Sequence, residues 1–108
     1  MGDLSLRSGI GRSGTPLRIT IVKGGSMEPT LRAGQLVAVD TGDRVPSPPG
    51  LFVIWDGLGL VIKRVEPVAG SSPPRVRLSA DNPRYSAWEL PLDDVDIEGR
   101  VVGCWQPM

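Results

Sequence analysis

The chain has 108 residues, enough for one small domain. Its 12 basic and 12 acidic residues cancel, so no global field draws it to nucleic acid or to an anionic membrane. It has no histidine and a single cysteine, Cys104, which excludes a Ser-His-Asp triad, His-ligated or cysteine-rich metal sites and an internal disulfide; no metal or cofactor is expected.

A hydrophobic share of 40% supports one modest core, and 14 glycines with 11 prolines favour short strands and turns over long helices. The unpaired cysteine fits a cytoplasmic location. The longest apolar run, Leu51 to Trp55, is too short to span a bilayer, and Met1 to Thr20 has no apolar signal-peptide segment, so no membrane partner is expected.

Residues 1–16 carry Gly, Ser and Arg without periodicity and read as a flexible lead-in or linker remnant, with the folded domain over 17–108. Leu17 to Lys23 alternates as a half-buried strand, with Leu17, Ile19 and Ile21 on one face. Gly24 and Gly25 then free the backbone before Ser26, and Pro29 blocks regular pairing three residues later. That pattern holds a hydroxyl out of a strand end, with main-chain N–H groups of Gly25, Ser26 and Met27 beside it. Leu31 to Gly34 reads as a tight turn or one helical turn. Gln35 to Asp40 is the next strand, and Val45 to Gly50 is a rigid Pro-rich connection outside the core.

Leu51 to Asp56 and Leu58 to Glu66 form a hairpin about Asp56-Gly57. The second strand is apolar on both faces, Leu60 and Ile62 on one and Val61 and Val65 on the other. Lys63 shares the second face, between the two valines. A serine nucleophile needs a base, and without histidine the choice falls on lysine; the chain has only Lys23 and Lys63, since its ten arginines do not give up their protons. Lys63 is the more suggestive of the two, although a lysine snorkelling from an edge strand fits the same pattern.

Arg75 to Ser79 alternates as a strand, Asp81-Asn82-Pro83 turns, Tyr85 and Trp88 fall at the core rim, and Leu90 to Asp94 reads as a polar connection. The last long strand runs from Val95 to Val102, with Val95, Ile97 and Val101 inside and Asp96, Glu98 and Arg100 wet. Cys104 reads as a packed apolar residue, and Trp105 as apolar surface near a sheet edge.

Three segments in order carry a family resemblance. Gly25-Ser26-Met27-Glu28-Pro29-Thr30-Leu31 resembles the Ser-Met segment of the S24/S26 peptidase clan, which includes LexA, UmuD-type proteins, phage CI-type repressors and signal peptidase I. Ile62-Lys63-Arg64-Val65 resembles the clan's lysine segment. Leu78 to Tyr85, followed by Ile97 to Val102, resembles the S24 branch. The resemblance covers about Leu17 to Trp105. It implies a mostly-β, coiled LexA/signal-peptidase-like sheet domain. Ser26 would be the nucleophile and Lys63 the general base, with the two side chains within hydrogen-bond reach. The N–H groups around Ser26 would form the oxyanion hole.

The resemblance further implies self-cleavage in cis, or a peptide cleaved in trans, and a homodimer formed by this domain of a transcriptional regulator. The sequence departs from that pattern in places. The family commonly has Asp where Gly25 and Gln35 stand. No helix-turn-helix precedes the domain, so direct DNA binding by this chain is not expected. No Ala-Gly or Cys-Gly bond precedes Ser26; Ala33-Gly34 and Ala69-Gly70 both follow it. A fragment of a longer repressor and a stand-alone domain both fit. The alternatives to a peptidase are a non-catalytic dimerisation module that keeps the dyad and a signal-peptidase-like enzyme.

Overall fold

The structure, a computed structural model, describes residues 16–105, so the expected lead-in lies outside the described residues apart from Pro16. Short apolar and β-branched runs between turn residues produce seven strands: β1 Leu17–Ile21, β2 Leu36–Asp40, β3 Gly50–Trp55, β4 Leu60–Pro67, β5 Arg75–Ser79, β6 Trp88–Pro91 and β7 Asp96–Trp105. They form one antiparallel sheet in the order β1-β2-β7-β3-β4-β5-β6. Among the described residues there is no α-helix, only a 3-10 turn over Leu92–Asp94. The mostly-β architecture expected from the sequence is the one observed.

Both faces of the central strands are covered, and the two-residue period sorts their side chains. On one face Phe52 and Ile54 of β3 pack with Val65, Val76, Leu78 and Ile97. On the other, Val53 packs with Val37 and Val39 and with Val22, Met27 and Leu31 from the segment after β1. Met27 and Leu31 therefore pin the Ser26 turn onto the sheet; burying side chains of this size stabilises by roughly 1.5–3 kcal/mol each.

Five expectations are corrected. In β1, Ile21 is 53% exposed and the residue that enters the core is Val22, because the chain leaves the strand there and Val22 exchanges backbone hydrogen bonds with Gln35 and Gly34 instead. The stretch from Leu90 is not a polar connection: Trp88–Pro91 is an edge strand paired to β5, and Leu90, Leu92 and Val95 pack on the Phe52 cluster. One charge, Glu89, and a proline, Pro91, beside Trp88 and Leu90 hide its alternation.

Arg100, expected in water, is only 8% exposed. Val53 faces Gly99 but Ile54 faces Ile97, so Glu98 is an extra residue that flips the phase of β7 and turns Arg100 onto the face of Ile97. There its guanidinium lies 4.4 Å from the Phe52 ring centre, Nε donates to Asp43 at 2.8 Å, and Nη2 donates to the carbonyls of Val45 and Pro48. This network ties down the Pro-rich connection, in which Pro46 is buried.

The last strand is not at an edge. β7 sits between β2 and β3, and the outer strands are β1 and β6. A second extra residue, Val102, opposes the Ala38–Val39 step of β2. Cys104, expected to pack, is exposed.

Candidate active site

Ser26 sits where β1 gives way to a turn. Gly24 has φ of +72°, a conformation that favours glycine, and the chain then folds back on itself: Glu28 N–H donates to the Gly25 carbonyl at 3.2 Å and Leu31 N–H to the Met27 carbonyl at 2.9 Å. Met27 is buried, so its neighbour Ser26 is held half-buried at the wall of a cleft of about 400 Å³. Ile21 and Lys23 line this cleft, together with Leu60, Val61 and Ile62 of β4. At Gly25 an added Cβ would approach only the Glu28 carboxylate, at 3.3 Å, so the departure from Asp at this position does not arise from crowding by the backbone.

Lys63 lies on β4 opposite Phe52 of β3 and is half-buried. Val61 and Val65 pack on the Phe52 cluster, the face that the strand pattern assigned to Lys63. Its ammonium lies 5.9 Å from the centre of the Tyr85 ring, and it lines a neighbouring hollow of about 650 Å³ that shares Val61 with the Ser26 cleft. No hydrogen bond joins Ser26 and Lys63 in this state. Lys23, the other lysine, is exposed and lines the Ser26 cleft itself.

What links the two regions is the segment after β5. Arg64, next to Lys63, places Nε and Nη2 on the two oxygens of Asp81, each at 2.8 Å. The Thr30 hydroxyl, four residues past Ser26, donates to the same carboxylate. The Arg64 bond, helped by Thr30, holds the Asp81 carboxyl below the usual carboxylate range, and the pairing raises Arg64. Asn82 then grips the Ser26 turn directly: its N–H donates to the Ser26 carbonyl at 2.9 Å and its side-chain Nδ2 to the Gly25 carbonyl at 2.8 Å. Tyr85, whose N–H donates to the Asn82 carbonyl, completes the segment and reaches Lys63.

Thr30, Asp81 and Asn82 were not among the candidate site residues. In the sequence Asp81-Asn82-Pro83 reads as a turn, and Arg64 appears only as the neighbour of Lys63 in the lysine segment. Asn82 meets Gly25 across 57 positions, and no local period reports so distant a partner. The available signal was the Asp-Asn pair itself, following the strand that pairs with the lysine strand.

Among the described residues, no acceptor engages the N–H of Ser26 or of Met27, whereas the carbonyls of Gly25 and Ser26 are both taken. A hydroxyl on a cleft wall beside the amides of Gly25, Ser26 and Met27, none of them engaged by a described residue, is the arrangement that acyl transfer uses: a nucleophile and donors for a developing oxyanion. No group of three or more metal-ligating side chains gathers among the described residues, and none of their helices is long and apolar enough to cross a membrane.

The family model described as Peptidase S24-like matches residues 2–102. The chain belongs to the S24-like peptidase family. No curated protein matches it. In this S24-like domain the matched range contains Ser26, Lys63, Asp81 and Asn82 and runs into β7, so the cleft and the segment that clasps it both lie inside the family's boundaries.

Proposed function

We propose that this S24-like domain is a serine peptidase that works through Ser26 and Lys63, cleaving its own longer chain or a peptide supplied in trans. The observation that carries this reading is the Ser26 turn: a hydroxyl on a cleft wall, with the Ser26 and Met27 amides beside it and Lys63 on β4, whose Leu60, Val61 and Ile62 also line the cleft. Ser26 Oγ would attack the scissile carbonyl, and the two amides would receive the oxyanion. Lys63, in its neutral form, would take the hydroxyl proton and pass it to the leaving amine. Lys63 lies with Tyr85 and the Phe52 cluster, whereas the Ser26 turn packs on the Val53 face, so this mechanism requires the lysine side chain to cross from the one to the other.

The apolar walls supplied by Ile21, Leu60, Val61 and Ile62 suit an extended peptide with small apolar side chains. Within a LexA- or CI-like regulator the same domain would serve as the homodimerisation unit, in the cytoplasm, without direct contact with DNA. The test is incubation of the parent protein, and of this chain with a random decapeptide library, followed by mass spectrometry. Cleavage is expected for the wild type and not for Ser26→Ala. Cleavage that survives Ser26→Ala would remove the serine from the mechanism.

The alternative is a dimerisation module that retains Ser26 and Lys63 without using them. The absence of a Ser26–Lys63 hydrogen bond in this state favours it. The two readings separate on that assay.

A further inference from the structure

We infer that Asn82 is a positioning residue that aims the two amides of the oxyanion hole. The inference rests on the reading of Ser26 as a nucleophile, and it starts from peptide geometry. In a planar trans peptide the N–H points away from the C=O of the same unit. The peptide units Gly25–Ser26 and Ser26–Met27 are not among the cis bonds of the chain. The Gly25 carbonyl therefore shares a plane with the Ser26 N–H, and the Ser26 carbonyl shares one with the Met27 N–H.

Asn82 holds both carbonyls. Its side-chain Nδ2 donates to the first at 2.8 Å and its backbone N–H to the second at 2.9 Å. Both N–H groups are thereby turned away from Asn82, and no described residue accepts from them. The amide of Asn82 is itself oriented, because its Oδ1 accepts from Arg84 N–H at 3.0 Å while Nδ2 serves Gly25. Its neighbour Asp81 is anchored to Arg64 on β4 and to Thr30 at the far end of the turn. The clasp thus references the donor pair to the strand that bears Lys63. Donors aimed before the substrate arrives cost no reorganisation when charge develops, which is where their value in catalysis lies.

Asn82→Asp isolates this role. It keeps the acceptor for Arg84 N–H and the backbone bond to Ser26 but removes the side-chain donor to Gly25, leaving that carbonyl with the longer bond from Glu28 N–H alone. Asn82→Ala, run in parallel, removes the side chain without setting a carboxylate beside the Gly25 carbonyl. With a peptide cleaved from the decapeptide library, both variants are expected to lose roughly 10²-fold in kcat, the cost of a misplaced or missing oxyanion donor. KM should change by less than about threefold, because the loss falls on the transition state. A kcat within about twofold of the wild type, or a loss confined to KM, overturns the inference.

A second measurement does not need activity. Backbone ¹⁵N relaxation should give order parameters near ~0.85 at Ser26 and Met27 in the wild type, falling below about 0.6 in the variants while β2 and β7 keep their values. Unchanged values at Ser26 and Met27 overturn the inference. If the wild type cleaves nothing, or cleavage survives Ser26→Ala, the peptidase reading fails, and the relaxation result alone then decides whether Asn82 fixes the turn.

Discussion

The Arg64–Asp81 pair shows how one residue joins two distant parts of the chain. Asp81 is mostly covered and bound at both oxygens, while the Arg64 side chain remains 38% exposed, so solvent screens the pair and its contribution is about 1 kcal/mol or less. The folded state depresses Asp81, hence this contribution is present above the unfolded carboxyl value and is lost as pH falls through the folded one. Glu98 runs the other way: the hydrogen bond and charge of Asp96 raise it, so the folded state gains on protonating it in the same acidic range. The net pH profile of the wild type mixes the two. The difference between the wild type and Asp81→Asn removes the Glu98 component. We expect that difference in unfolding free energy, from urea titrations, to be about 1 kcal/mol at pH 6 and to shrink progressively as pH falls below the unfolded carboxyl value. A difference that grows on acidification would mean that Asp81 is not held as an anion by Arg64.

Among the elements, β7 carries the most information that its pattern concealed. Its sequence alternates well enough to be recognised as a strand, yet Glu98 and Val102 each add a residue against a neighbouring strand, and each addition inverts the faces that follow. That is why Arg100 was expected in water and is found against Phe52. Register shifts belong to the pairing of two strands, and one strand's pattern does not contain them. Gly99 sits beside the first shift, where an added Cβ would lie 2.6 Å from Val39 Cγ1 and 2.8 Å from the Asp40 carbonyl oxygen. A backbone oxygen cannot move aside cheaply. Gly99→Ala should therefore cost roughly 1–3 kcal/mol by chemical denaturation. Gly59, where an added Cβ meets nothing within 4 Å, is the matched control and should lose well under that when changed to Ala. Equal losses at the two glycines would contradict the close approach of β2 and β7.

At the scale of the whole molecule, the fold class and the two chemical segments were legible because they are local. The glycines before Ser26, the alternation of β4 and the strand-rich composition each declare themselves within ten residues. Two things were not local. β6 is short, ends in proline and borders a 3-10 turn, so its alternation is too brief to stand out. The clasp of Asn82 on Gly25 depends on a seven-stranded sheet bringing the segment after β5 back to the turn after β1. The balance of charge is a property of the whole chain, and with 12 charges of each sign it should bind a 20-base-pair duplex no more tightly than an ordinary neutral protein. Fluorescence anisotropy at low and moderate salt checks this; tight binding that weakens steeply with salt would contradict it.

The central claim is that Lys63 is the base for Ser26, and the most direct measurement is the pH dependence of cleavage with Lys63→Arg beside the wild type. An amine accepts a proton only when neutral, and ordinary lysines titrate near ~10.4, whereas guanidinium stays charged throughout this range. The account therefore expects the rate of wild-type cleavage to rise from pH 7 to about 10. Lys63→Arg and Lys63→Ala should show none. Cleavage that persists in Lys63→Arg, or a wild-type rate that falls as pH rises while the protein stays folded, would contradict it and pass the role of base to Lys23, the lysine that lines the Ser26 cleft.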